Sequence, residues 1–156
     1  MSTTAIKISI RKYIAAFNSA RDFSEAEPLF DSLYKEDFTL AAKAYNEDHT
    51  KYRVRNVSRE QVKEKQSELF SKGGEVTLVH FRKIGIRCVD VEFRLKDDDE
   101  DRTVRVVCSV EDGKLASAAQ VDTVVSALME RFANDVHMVG ALAKFFLWNH
   151  EEVLVR

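Results

Sequence analysis

Apolar residues near the start of the chain recur every three or four positions, which is the spacing of an amphipathic helix. The pattern predicts a first helix that begins after the possible caps Thr3 and Thr4 and ends near Arg21. Such a helix needs an apolar surface against which to bury its stripe. The stripe consists of Ile6, Ile10, Tyr13, Ile14 and Phe17.

Two pairs of residues have the spacing of a capping box, in which two side chains satisfy free backbone N–H groups at the start of a helix. Ser24 with Glu27 predicts the start of a short second helix, and Ser58 with Gln61 predicts the start of a third. The pair Gly73-Gly74 can adopt a positive φ and so end the third helix.

After this point the apolar period changes from 3.6 to 2, which is typical of strands. Residues 38–44 and 52–57 can form two earlier short strands, although the polar stretch 46–51 between them is as easily a loop. The clearer alternation of apolar and polar residues comes after the third predicted helix. It predicts four consecutive antiparallel strands over residues 75–83, 86–96, 102–111 and 114–121.

Asp112-Gly113 indicates a two-residue hairpin, because both central positions of a type I′ turn need φ above zero. A turn at this point sets the register of the two strands that it joins. On one side of the sheet the predicted facing pairs are Val110 with Leu115, Cys108 with Ser117, and Val106 with Ala119.

The strand at 86–96 alternates between apolar and polar residues, so one face of the sheet is predicted to be dry and the other wet. The apolar set is Val89, Val91, Phe93 and Leu95, and the polar set is Cys88, Asp90, Glu92 and Arg94. If Ile84-Gly85 forms a two-residue turn, His80 lies opposite Val89 among apolar neighbours. A bulge in the strand would reverse this placement.

Beyond residue 121 the pattern becomes helical again and predicts a C-terminal helical extension over 122–152. Its apolar surface is wider than one helix on a small domain needs to bury, which favours a partner and predicts a homodimer. The extension could equally cap a pocket or cover the polar face of the sheet. The stripe contains Val125, Leu128, Met129, Phe132, Val136, Val139 and Phe146, widened by Leu142, Phe145 and Trp148.

The 156 residues show no linker or repeat, so the sequence predicts one domain over 1–156. A net charge of -2 gives no general attraction to nucleic acid or to a membrane, and neither partner is predicted. No apolar stretch is long enough for a bilayer and no secretory signal is visible, which predicts a cytoplasmic protein. Cys88 and Cys108 are expected to be buried, reduced and inert.

No metal or cofactor is predicted. The acidic run at 97–101 lacks the alternating ligands and the glycine of a calcium loop and is interpreted as a solvated hairpin loop. His49, His137 and His150 do not have metal-ligand spacing, and no glycine-rich loop is present that could hold a phosphate.

The order of elements over residues 6–121 resembles that of the nuclear transport factor 2-like superfamily, which includes SnoaL-like polyketide cyclases and ketosteroid isomerases. The most specific local similarity is the run KYIAAFN at 12–18, followed by Leu29-Phe30 and by DFTL at 37–40. The resemblance implies an α+β fold in which a cone-shaped, curved antiparallel sheet packs on N-terminal helices around a mostly apolar pocket. The core would span residues 4–121, with 122–152 as an addition to it.

The resemblance also allows a test for isomerase chemistry. Ketosteroid isomerases use a tyrosine on the first helix, an aspartate base on the first strand and a protonated acid deep in the sheet. Tyr13 matches the tyrosine by position, but the base would fall at or near Ala42 and the acid at or near Val106. Two of the three groups are absent, which argues against isomerase chemistry by that mechanism.

A ligand pocket is predicted on the dry face of the sheet. Tyr13 could donate a hydrogen bond to a ligand, or it could be a core tyrosine satisfied by a backbone carbonyl. His80 could act as a base or orient a ligand, or it could be a satisfied core histidine. The predicted lining residues are Tyr13, Phe17, His80, Val91, Cys108 and Ser117.

These observations predict a pocket protein that binds a small apolar molecule and self-associates. One alternative is a cyclase, isomerase or hydratase that uses Tyr13 and His80. Another is an interaction module that works through its C-terminal helices.

Overall fold

The computed structural model describes residues 3–45, 47, 51–121 and 152–154, which form three α-helices and one seven-stranded sheet. The helices are α1 (Thr3–Ser19), α2 (Glu27–Leu33) and α3 (Arg59–Ser71), and a short 3₁₀ helix, Phe23–Glu25, precedes α2. The strands are β1 (Tyr34–Tyr45), β2 (Lys51–Ser58), β3 (Glu75–Ile84), β4 (Cys88–Lys96), β5 (Asp101–Glu111), β6 (Lys114–Gln120) and β7 (Glu152–Leu154).

The helix starts confirm one predicted capping box and correct the other. Ser58 accepts from the backbone N–H of Gln61, and Gln61 accepts from that of Ser58, so α3 begins with a complete box. Before α2, in contrast, Asp22 caps the 3₁₀ helix by accepting from Ser24. The predicted box between Ser24 and Glu27 was wrong, because the nearer carboxylate of Asp22 takes the N–H of Ser24 and α2 begins without a side-chain cap.

The sheet is curved, and its strand order is β3-β4-β5-β6-β1-β2-β7. Neighbouring strands run antiparallel except for β1 and β6, which are parallel. The predicted turn between β5 and β6 is confirmed, since Asp112 and Gly113 have φ values of 52° and 73°. Both early strands are also present and extend beyond their predicted ends.

A bulge in β6 changes the predicted register with β5. Val110 faces Leu115 as predicted, but Ser109 rather than Cys108 faces Ser117. Because Ala116 has no partner on β5, every pair beyond it moves by one residue, and a one-residue shift transfers a side chain to the opposite face. The predicted pairs Cys108 with Ser117 and Val106 with Ala119 were therefore wrong, and Ser117 lies on the other face of the sheet from Cys108.

The predicted position of His80 was wrong for the same physical reason. Residues 85–87 connect β3 to β4, one residue more than the predicted turn, and the register shifts again at Val79. His80 therefore faces Glu92, while Val89 faces Lys83. His80 lies on the polar face of the sheet and not among the apolar residues.

All three helices pack on one face of the sheet, which we call the inner face. The apolar half of β4 lies there, as predicted, with Val89 and Val91 fully buried. Val106, Cys108 and Val110 of β5 join them in the same core. We call the opposite face, which carries Asp90 and His80, the outer face.

One side chain attaches α1 to the edge of the sheet. Asn18 donates from Nδ2 to the carbonyl oxygen of Val76 (2.8 Å) and accepts at Oδ1 from the N–H of Val76 (3.0 Å). Among the described strands β3 lies at the edge of the sheet, so none of them pairs with these backbone groups on that side. The side chain of Asn18 thus satisfies an open edge and fixes the position of α1.

The predicted C-terminal extension falls outside the described residues, apart from Glu152, which begins β7 and so is not helical. β7 pairs with β2. Within the described residues, no helix has the length and apolar character to cross a bilayer.

Candidate functional site

A layer of buried aromatic rings lies on the inner face around Phe30. Tyr13 of α1 meets Phe30 edge-on, with ring centres 5.7 Å apart, and Tyr34 at the start of β1 stacks on Phe30 at 4.4 Å. Phe17 contacts Tyr13 at 6.2 Å, and Phe38 contacts Tyr34 at 4.7 Å. The layer is an apolar wall that contains two phenolic hydroxyl groups.

Both hydroxyl groups share one polar partner, Gln66 of α3. The hydroxyl of Tyr13 donates a hydrogen bond to Oε1 of Gln66, and the same side chain hydrogen-bonds Tyr34. A glutamine amide contains both an acceptor and a donor, so it can serve two phenols at once. Sequence reasoning missed Gln66, although it is the polar member of a helical face with Val62 and Leu69, at a spacing of four and then three residues.

The electrostatics of the two tyrosines keep them neutral. Burial raises the pKa of Tyr13 well above its usual value, and the neighbouring Tyr34 adds to the rise. Burial also raises the pKa of Tyr34, with a further contribution from Cys108, while the hydrogen bond from Gln66 opposes it. Both groups can therefore donate a hydrogen bond at neutral pH, but neither can act as a base.

Cys108 lies beside this set on β5 and is fully buried. Burial raises the pKa of its thiol to about 12, with smaller contributions from Cys88 and Asp90. Because the thiolate is the reactive form, a thiol with this pKa is a poor nucleophile at neutral pH. Cys108 contributes apolar surface to the inner face.

Of the six predicted pocket residues, the structure brings four to the inner face and two to the outer face. Tyr13, Phe17, Val91 and Cys108 are members of one buried core. Ser117 instead pairs with Ser109 on the outer face, where their hydroxyl oxygens are 2.6 Å apart. His80 also lies on the outer face, and its Nε2 is 3.9 Å from Oδ2 of Asp90.

The outer face contains a charged cluster around Asp90, at the polar face where the alternating charges of Asp90, Glu92, Arg94 and Arg105 predict either a salt-bridged surface or a polar dimer interface. Asp90 is 0% exposed and is the only buried charged side chain among the described residues. Arg105 donates to both of its carboxylate oxygens, at 3.0 and 2.7 Å, and Arg82 donates to Oδ2 at 3.1 Å. A bidentate arginine pair of this kind is a strong structural contact, and its carboxylate points away from the inner face.

The groups needed for ketosteroid isomerase chemistry are not found at the matching positions. Val106 is buried in the core and Ala42 is half-buried on β1, and neither side chain can exchange a proton. Across residues 3–45, 47, 51–121 and 152–154, no three histidine, cysteine or carboxylate side chains are grouped so as to hold a metal ion. The described inner face can bind and orient a molecule through two hydrogen-bond donors, but it offers no base.

A surface cavity of about 350 Å³ lies between α2 and α3, beside the aromatic layer, since Nζ of its lining residue Lys63 lies 5.6 Å from the ring centre of Phe30. Its lining is mainly acidic and hydroxylic, and none of the six predicted pocket residues contributes to it. The lining residues are Phe23, Glu27, Glu60, Lys63, Glu64, Ser67, Glu68 and Ser71.

No protein-family model matches this sequence, and no curated protein sequence matches it. Solved structures do match. The de novo designed NTF2 fold protein NT-9 superposes with a TM-score of 0.55 at 18% identity, covering 87% of this chain and 98% of the design. IdmH, a proposed polyketide cyclase from Streptomyces antibioticus, gives a TM-score of 0.54 at 14% identity, covering 81% of this chain and 98% of IdmH.

A proposed ketosteroid isomerase from Kribbella flavida is similar too, with a TM-score of 0.52 at 17% identity over 75% of this chain and 76% of its own. These identities are low, so the similarity concerns the fold. In this chain the helices pack on one face of a curved sheet that is not closed into a barrel. The expected architecture is confirmed: this chain has the nuclear transport factor 2-like fold.

Proposed function

We propose that this protein binds a small, largely apolar molecule at the aromatic layer of its inner face, and that Tyr13 and Tyr34 hold a carbonyl or similar oxygen of that molecule. The observation that carries the proposal is the convergence of two buried phenols on one amide inside an otherwise apolar core. Buried hydroxyl groups need partners, and a ligand oxygen can replace a protein oxygen as the acceptor.

Gln66 supports this proposal because its amide carbonyl already occupies the acceptor position that a ligand carbonyl would take. The amide belongs to α3, which contains no fully buried residue. The helix contacts the core only through half-buried side chains, among them Val62, Leu69 and Phe70. A small outward movement of α3 therefore withdraws Gln66 and frees both phenols with little loss of buried surface.

Binding is favoured over catalysis by the chemistry of the same face. The pKa values of Tyr13, Tyr34 and Cys108 are all raised, so these groups stay protonated at neutral pH. General acid-base catalysis needs a group that changes its protonation state near the working pH. The one buried carboxylate of the described residues, Asp90, is on the outer face and bonded to arginines.

The proposal can be tested with two probes of nearly equal shape. The bicyclic ketone 1-tetralone carries one carbonyl acceptor, whereas the hydrocarbon tetralin carries none. We expect the native protein to bind the ketone more tightly, by about tenfold for one net hydrogen bond. Tyr13→Phe should reduce this preference, and the double variant Tyr13→Phe with Tyr34→Phe should lose it, while the affinity for tetralin is unchanged, as measured by titration calorimetry.

A matched control is Ser19→Ala, which alters an exposed hydroxyl on the same helix and should leave both affinities unchanged. If the native protein binds neither probe, or if it binds both equally, the proposal is wrong. A preference for the ketone that survives in the variant lacking both phenols would assign the binding to another part of the molecule.

The predicted self-association remains a prediction. It depends on the C-terminal apolar stripe, which lies outside the described residues. The mass of the intact protein in solution tests it directly.

A further inference from the structure

Two of the most exposed large apolar side chains belong to the same end of the molecule. Ile86 is 72% exposed at the connection between β3 and β4, and Ile8 is 51% exposed on α1. Single exposed apolar residues are ordinary on protein surfaces. Ile8 and Ile86 differ from such isolated residues because they lie at the same end of the molecule and have basic neighbours.

Contacts along α1 bring its N-terminal end to this connection. Asn18, near the end of α1, bonds Val76 near the start of β3. Lys7, near the start of α1, lies over the ring of Phe81, with its Nζ 5.5 Å from the ring centre. The helical stretch from Lys7 to Asn18 and the strand from Val76 to Phe81 both span about 16 Å, so α1 runs along β3 in the opposite direction.

The charge of this end is positive although the whole chain is slightly acidic. Residues 1–21 contain no aspartate or glutamate, and neither do residues 82–87. Two exposed basic residues flank Ile86: Lys83 near the end of β3 and Arg87 in the connection. On α1, the basic residues are Lys7, Arg11 and Lys12.

Acidic groups at the same end of the sheet are partly neutralised by basic partners. Glu111 and Asp112 lie at the β5–β6 turn, at the same end of the sheet, and Lys35 is 3.0 and 3.8 Å from their carboxylates. Asp90 is held by Arg82 and Arg105. The surface formed by α1 and residues 83–87, which we call the basic end, carries five basic residues, Lys7, Arg11, Lys12, Lys83 and Arg87, and so has a net positive charge even though Lys35 neutralises only one of the carboxylates of Glu111 and Asp112.

We propose that the basic end docks on an anionic lipid surface, with Ile86 inserted among the lipids and the surrounding lysines and arginines on the headgroups. An apolar tip flanked by basic side chains matches an interface that is apolar beneath and negatively charged above. Lipid is favoured over an acidic polypeptide, because Ile86 is 72% exposed in a connection between strands and does not line the described cavity between α2 and α3. The net charge of -2, which predicts no membrane partner, is a sum over the whole chain and does not describe the local charge of the basic end.

Flotation of the full chain with phosphatidylcholine vesicles, prepared with and without phosphatidylserine, tests the inference. We expect binding only to vesicles that contain phosphatidylserine. The binding should be strong at about 0.1 M salt and lost near 1 M, because the Debye length is about 10 Å at the lower concentration and about 3 Å at the higher one. Ile86→Ser should reduce the partition coefficient at least about fivefold, since an inserted side chain loses its apolar burial.

Val79→Ser is the matched control, because Val79 is 52% exposed on β3, the strand that leads into the connection, but lies at the bulge in the middle of that strand. It should bind as the native protein does. Lys83→Glu should weaken binding by a factor similar to that of Ile86→Ser, with circular dichroism confirming that every variant is folded.

Three results would overturn the inference. The first is equal binding to both kinds of vesicle, or none to either. The second is equal loss in Ile86→Ser and Val79→Ser. The third is salt-sensitive binding to polyglutamate that matches the binding to vesicles and does not depend on Ile86, which would assign the basic end to an acidic polypeptide instead.

Discussion

Replacing Asp90 with asparagine removes the charge that two arginines share on the outer face of the sheet. In the native protein, Arg105 donates from Nε to Oδ1 at 3.0 Å and from Nη2 to Oδ2 at 2.7 Å. Arg82 donates to Oδ2 at 3.1 Å. Asparagine has nearly the same shape, so the variant changes the charge and one acceptor while the packing is retained.

The expected cost follows from the burial of the three side chains. Removing one partner of a fully buried ion pair costs about 3 to 5 kcal/mol, because the remaining charge stays buried. Here Asp90 is fully buried, but the side chains of Arg82 and Arg105 are 33% and 22% exposed, so water hydrates part of each guanidinium group. This hydration lowers the cost, and we expect Asp90→Asn to reduce the free energy of unfolding by about 2 to 3 kcal/mol.

Glu92→Gln supplies the control on the same strand and the same face. The carboxylate of Glu92 is 25% exposed and lies 3.9 Å from Nη1 of Arg105, so its neutralisation should cost within about 0.5 kcal/mol. Urea unfolding followed by circular dichroism measures both variants, and the slope m should not change. Equal losses in the two variants, or a loss below about 1 kcal/mol for Asp90→Asn, would refute the reasoning from burial.

Three further predictions concern the inner face and the edge of the sheet. Because the pKa of Cys108 is raised to about 12, its contribution to stability is complete below pH 9 and is lost as the pH rises toward 12. As the pH rises over this range, the free energy of unfolding should therefore decline less steeply in Cys108→Ala than in the native protein. An equal decline in both would contradict the assigned burial. In the native protein at neutral pH, Cys108 should react with a thiol reagent only at the rate of unfolding, and immediate labelling located by peptide mass spectrometry would show that it is accessible. Asn18→Ala should lower the free energy of unfolding by about 1 to 3 kcal/mol, because both backbone groups of Val76 lose their partner. Ser19→Ala, at the exposed neighbouring residue, is the control and should change the free energy of unfolding little. Equal losses in the two variants would show that Asn18 does not hold α1 to the sheet edge.

The sequence was sufficient to predict the three helices, the first six strands and the face on which the core lies. The helical stripe of α1 and the alternation in β4 each indicate one buried side, and the structure buries Ile6, Phe17, Val89 and Val91 on that side. These patterns are strong because a single error in period would expose several apolar side chains at once. The positive φ at Asp112 is likewise a property of the local turn.

The register could not be predicted, because it depends on single residues that leave no mark in the pattern. The bulge at Ala116 places Ser117 on the outer face, and the longer connection at 85–87 with the shift at Val79 does the same to His80. Apolar and polar residues alternate in the same way on either side of an unpaired residue. Two of the six predicted pocket residues moved to the outer face for this reason alone.

The polar part of the site could not be predicted either, because it joins residues distant in sequence. Gln66 meets Tyr13 across 53 positions, and a lone glutamine in a helix ordinarily faces solvent. Asp90 presents the opposite case. The alternation of apolar and polar residues along β4 indicates that Asp90 lies on a wet face. In the structure its carboxylate is buried, and Arg82 and Arg105 on the neighbouring strands compensate the buried charge.

The central claim is that the phenols of Tyr13 and Tyr34 on the inner face hold the polar end of an apolar ligand in place of Gln66. Nuclear magnetic resonance of protein with labelled tyrosine rings and glutamine amides, titrated with 1-tetralone, tests it most directly. The account predicts that the resonances of Tyr13, Tyr34 and Gln66 shift together with the ketone and that the Gln66 amide does not shift with tetralin. Shifts confined to residues that line the cavity between α2 and α3, with Tyr13 and Gln66 unmoved, would contradict it.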